Sequence, residues 1–155
     1  MLAKSGQLFS LLVVVAFAPC RAQGPSRQEL ERRIAFANAH FAIPAASGRV
    51  VSHGTPGSRT DRGRAYIALG PPDHIRDVPS VPNVDAVPYQ EWTYRDIPGI
   101  GNNVRIEFVD LTFNYGYRMV PPPNGDTEAR RRYDLIRKLI QRTLASISSP
   151  ERKRD

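Results

Sequence analysis

The chain has 155 residues, a formal charge of +7 and a single cysteine, Cys20. One cysteine excludes an intrachain disulfide and a multi-cysteine zinc site, and its place among the first 22 residues leaves the rest without a thiol for catalysis. The roughly 130 residues that follow suffice for one domain around one hydrophobic core.

Lys4 precedes an uncharged, largely apolar run over residues 8–18, LFSLLVVVAFA. That is the length of a signal-peptide core and too short to span a bilayer as a helix. Residues 1–22 are therefore expected to form a signal peptide cleaved after Ala22, giving an exported mature chain in the periplasm or outside the cell, with no transmembrane segment. The alternative is a lipid anchor at Cys20, an arrangement that Pro19 fits badly. Between residues 23 and 123, eleven Arg and Lys face ten Asp and Glu; from residue 124 onward nine face five. The basic excess is in the C-terminal part.

Ser26 and Glu29 read as a capping box, followed by Leu30, Ile34, Ala37 and Phe41 at helical spacing, which predicts a helix over residues 27–41. Residues 43–56 have no period and read as a loop. Thr60 caps a second, short helix with Asp61 in its first turn, and Gly70, Pro71 and Pro72 stop it. Asp73 reads as a turn residue, and residues 78–88 as an exposed loop with a short strand at its start. Residues 89–97 and 104–109 alternate with period two across Pro98, Gly99 and Gly101, which predicts a hairpin whose buried residues are Trp92, Tyr94, Val104, Ile106 and Phe108. Gly99 and Gly101 belong to this turn; a phosphate loop needs a third glycine and a following helix. Phe113, Tyr115 and Tyr117 predict a third strand ending near Val120. Asp126 or Thr127 then caps a last helix with Ala129, Tyr133, Ile136, Ile140, Leu144 and Ile147 on its apolar stripe. The fold class is α+β: an antiparallel sheet of about three strands against two or three helices, as a single domain over residues 23–147 with a charged tail at 148–155.

Several stretches resemble the GWxTD domain of exported bacterial proteins: Phe36-Ala37-Asn38, the run Gly57-Ser58-Arg59-Thr60-Asp61-Arg62-Gly63-Arg64, Tyr66-Ile67, Gly70-Pro71-Pro72-Asp73, then Trp92, Tyr94 and Phe108-Val109-Asp110. Ser58 stands where that family has tryptophan. The resemblance implies an exported domain and no particular activity. A short capped helix ending in Gly-x-Pro, followed by a strand bearing Trp-x-Tyr, also resembles in architecture the outer-membrane assembly lipoproteins of the SmpA/OmlA type. That likeness implies a two-layer domain that binds partner proteins.

For chemistry, Asp61, Asp73 and His74 border one turn and are the acid–base candidates, and a hydrolase or lyase acting through Asp73 and His74 is the alternative reading. Each also has a structural role in a cap or turn. No serine sits in a nucleophile-elbow pattern, and His40, His53 and His74 are too far apart in sequence to share a helical turn, so neither a metal nor a cofactor is expected. The preferred reading is a non-catalytic envelope domain that binds a protein or an anionic polymer. Its contacts are expected at Pro71, Pro72, Asp73 and His74, at Tyr89, Tyr115 and Tyr117, and at Arg131, Lys138 and Arg142 on one face of the last helix. The basic helix has no interleaved aromatic face for stacking on bases, so nucleic acid is not expected.

Overall fold

The computed structural model describes residues 24–45, 54–79, 87–111 and 116–149. The signal-peptide reading of residues 1–22, together with His53, Phe113, Tyr115 and residues 150–155, lies outside the described residues.

Helix α1 spans Arg27–His40, and the Ser26 hydroxyl accepts the Glu29 N–H at 3.2 Å, as its cap position requires. The Glu29 carboxylate turns along the helix instead of back to its start, pairing with Arg33 at 2.9 Å and Arg32 at 3.6 Å. Ala37 and Phe41 are buried, with Leu30 and Ile34 packed against the same core. The loop that follows is closed at its base, since Ile43 and Thr55 exchange backbone hydrogen bonds of 2.9 Å in both directions.

A short 3-10 turn, Gly57–Arg59, leads into helix α2, Asp61–Leu69. The Thr60 hydroxyl accepts the Gly63 N–H at 3.1 Å and donates to the Gly57 carbonyl at 2.8 Å. A Cβ on Gly63 would fall on that carbonyl, and one on Gly57 would fall on the carbonyl of Ala37. Three backbones thus meet in a space that admits only glycine. At the other end of α2, Gly70 has φ 86° and ψ −171°, a region essentially reserved for glycine. The turn is held from two sides: Arg33 of α1 donates to the Ile67 carbonyl at 3.1 Å, and the Tyr94 hydroxyl donates to the Gly70 carbonyl at 3.2 Å. Burial pushes the Tyr94 phenol well above its ordinary pKa, so it remains a donor.

Among the described residues the sheet has four antiparallel strands in sequential order: β1 His74–Val78, β2 Tyr89–Ile97, β3 Gly101–Val109 and β4 Arg118–Met119. The expectation of about three strands is corrected by β1. Its residues carry no apolar alternation, and all but Val78 are exposed. They are strand because they pair with β2, which sequence periodicity does not register. The third predicted strand is, among the described residues, only Arg118–Met119.

Register places Trp92 between Ile75 and Ile106, Tyr94 beside Val104, and Gln90, Phe108 and Met119 in one row. These side chains make the inner face. The Trp92 and Phe108 rings stand 4.8 Å apart, and Phe41 brings α1 to within 5.5 Å of Trp92. Each such buried ring contributes roughly 1.5–3 kcal/mol relative to an exposed one. Helix α3, Thr127–Ser148, is capped by Asp126, whose carboxylate accepts the Ala129 N–H at 2.9 Å. Ile136 and Ile140 add to the same core, with α2 lying between α1 and α3. Among the described residues no helix is long and apolar enough to cross a membrane.

Gly70→Ala is expected to lower the unfolding free energy by about 1–3 kcal/mol, because alanine is forced into a glycine-only conformation beneath Arg33. Urea denaturation with an unchanged m-value checks it.

Candidate functional site

The sequence-predicted acid–base residues do not converge. Asp61 starts α2 and Asp73 follows its end, so the length of the helix, roughly 13 Å for nine residues, lies between them. The Asp61 carboxylate accepts the Met119 N–H at 3.0 Å and stands 3.9 Å from Arg118. Asp73 closes the β1–β2 ladder: its N–H donates to the Thr93 carbonyl at 2.9 Å, and its carboxylate accepts the Arg95 N–H at 2.7 Å. His74 pairs opposite Thr93 and is exposed, on the sheet face away from Trp92. Among the described residues no group of three His, Cys, Asp or Glu is placed to hold a metal ion.

The predicted binding residues fall into separate places. Pro71, Pro72, Asp73 and His74 sit where the chain enters β1. Tyr89 lies on the outer sheet face beneath Arg76, 5.7 Å from its ring. Tyr117 is half-buried, with the Arg62 guanidinium 4.0 Å from its ring centre. Arg131 is tied to Glu128 at 2.9 Å, whereas Lys138 and Arg142 are exposed on the far side of α3. Hydrogen bonds from Arg131 and then Arg132 hold the Glu128 carboxyl down to about 2.

Arg62 carries no signal in the sequence beyond its place in a helix start, yet it is only 8% exposed. Its Nη1 donates to the Gln90 side chain at 3.3 Å, its Nε is buried without a hydrogen-bond partner, and the Phe41 ring lies 5.4 Å away. Burial pulls its pKa below the ordinary value, opposed by Tyr117, Asp77 and Asp110, and the guanidinium stays charged. Stacked between rings, it packs α2 against the inner face of the sheet.

The candidate site itself follows from where the β3–β4 ladder stops. Phe108 pairs with Met119, and the Val120 N–H donates to the Glu107 carbonyl at 3.0 Å. Antiparallel pairs exchange hydrogen bonds at every second residue, so the next donor belongs opposite Arg105. Continuing the register puts Pro122 there, and proline has no N–H. Glu107 directs its polar backbone toward β4, and by the same period Arg105 directs its N–H and carbonyl to that open side. Residues 103–107 of β3, whose pairing with β4 ends at Glu107, form one wall of a cleft of about 460 Å³. The opposite wall is α3, with Glu128, Ala129, Arg132, Tyr133 and Ile136, and Pro122 and Pro123 close one end. At the other end Arg132, held at 2.9 Å by Glu128, reaches the Asn102 carbonyl at 3.4 Å. The proline run was legible in the sequence, but which backbone groups it leaves unpaired depends on register.

No protein-family model, curated protein or solved structure matches this chain.

Two measurements test this description. Arg62→Met should change stability by less than about 1 kcal/mol, since it keeps the packing and removes a buried charge; Arg62→Ala should cost about 2–3 kcal/mol by leaving a cavity. The Glu128 carboxyl should titrate near about 2 by NMR and move upward in Arg131→Ala. Because the folded value is depressed, its small stabilising effect is present above the ordinary carboxylate range and is lost as pH falls toward 2.

Proposed function

We propose that the chain is an exported, non-catalytic envelope domain that binds a protein partner by taking an extended segment of that partner onto the free edge of β3. The observation that carries this reading is the end of the β3–β4 ladder at Pro122, which leaves the polar backbone of Arg105 facing a cleft. A free strand edge with an adjoining groove gains main-chain hydrogen bonds from an added strand and specificity from alternate side chains.

The two edges of the sheet differ in a way that favours β3. Edge β1 bears exposed charged side chains at Arg76 and Asp77, a common guard against pairing. Edge β3 is flanked by the half-buried side chains of Ala129 and Tyr133, which offer alternate residues of an added strand a surface to cover. Export rests on residues 1–22 and on the resemblance to GWxTD domains. The hydrolase or lyase alternative would need Asp73 to act on substrate, whereas its carboxylate is engaged by Arg95.

A peptide selected from a random library against the protein should shift the amide resonances of residues 103–107 and slow hydrogen exchange at Arg105. Arg105→Pro removes the outward N–H without touching the β2 ladder and should weaken that peptide about tenfold, in line with one lost buried hydrogen bond. Arg105→Ala and His74→Ala should leave it unchanged. Peptides that bind with shifts confined to other surfaces, or equal losses in Arg105→Ala and Arg105→Pro, would overturn the reading.

A further inference from the structure

A second surface lies between α2 and α3, beyond the cleft described above. Arg64 of α2 and Arg137 of α3 line a groove of about 240 Å³ whose floor is Met119, Ile140 and Leu144. Tyr133 is set in its wall, with the guanidinium carbons of Arg130 and Arg137 at 6.0 and 5.9 Å from its ring centre. Arg118 extends the basic rim. One carboxylate lines the groove, that of Asp61, and it is already engaged by the Met119 N–H and by Arg118. Among the described residues Arg64, Arg130 and Arg137 have no acidic partner within 4.0 Å, unlike Arg131 and Arg132, which share the Glu128 carboxylate.

We propose that this groove binds an acidic polysaccharide, one negatively charged sugar at a time along an open path. Three observations select that occupant. The charge is complementary to an anion, and guanidinium groups meet carboxylates or phosphates with paired donors. Sites that enclose a whole small ligand usually exceed about 300 Å³, so a smaller, open groove suits one unit of a longer molecule. The mixed lining also fits a sugar: an aromatic ring and an apolar floor for its ring carbons, and the Gln141 amide for its hydroxyls. The proposal is independent of the β3 edge.

The test uses polygalacturonate against neutral dextran, measured by calorimetry with the whole protein. Polygalacturonate should bind and dextran should not, with affinity falling as salt screens the exposed charges. Arg64→Ala and Arg137→Ala should each weaken binding about tenfold, the loss expected for one charge-assisted contact. Lys138→Ala with Arg142→Ala, on the far side of α3, should change it less than about twofold, the scale of an exposed charge. Equal losses in both pairs of variants would reduce the effect to net charge and overturn the groove. So would stronger binding to phosphatidylserine vesicles or to polyphosphate than to polygalacturonate. Peptide binding at the β3 edge should be unchanged in Arg64→Ala and Arg137→Ala, which separates failure of this proposal from failure of the other.

Discussion

The hydrogen bond from the Met119 N–H to the Asp61 carboxylate ties the helical layer to the last strand, and much else follows from it. Asp61 is in the first turn of α2, where a carboxylate suits the positive end of the helix dipole, so its position is set by the helix before β4 arrives. By accepting the Met119 N–H it helps to fix β4 against β3 with Phe108 opposite Met119. That register puts Pro122 opposite Arg105 and ends the ladder there. The same bond occupies the one carboxylate of the α2–α3 groove. One interaction therefore shapes both the cleft at the sheet edge and the basic character of the groove beside it.

The run from Gly57 to Asp73 is tightly constrained for reasons of packing. Gly57 and Gly63 allow three backbones to approach, Thr60 caps the helix they form, Gly70 turns the chain in a conformation other residues avoid, and Asp73 locks the start of β1 to β2. Each is a site where a substitution acts through stability. Arg62 also acts through stability, as a buried charge. Among the described residues it has no acidic partner within 4.0 Å; it packs against the rings of Phe41 and Tyr117, and Asp77 and Asp110 favour its charge from farther away.

Basic charge on α3 divides into two kinds. Arg131 and Arg132 share the Glu128 carboxylate and serve to hold the first turns of the helix and the end of the cleft. Arg130 and Arg137 flank Tyr133, and Arg137 lines the groove with Arg64, without such a partner among the described residues. Counting charges along the helix does not separate these sets, because their difference lies in what stands three or four residues away and on the neighbouring helix.

The sequence by itself determined the α+β class, the three helices with their caps, the β2–β3 hairpin and most of its core, since these rest on local periodicity and on glycine and proline chemistry. Trp92, Tyr94, Val104, Ile106 and Phe108 are buried where alternation placed them. Tertiary structure alone decided β1, whose residues are strand through pairing and not through burial, and the fate of Asp61 and Asp73, which meet backbone donors far along the chain. It also decided the two candidate surfaces. A free strand edge depends on which residue falls opposite a proline, and a cluster of arginines depends on two helices 58 or more residues apart in the chain packing side by side. Neither register nor helix packing has a local signal, because both are set by contacts distant in sequence.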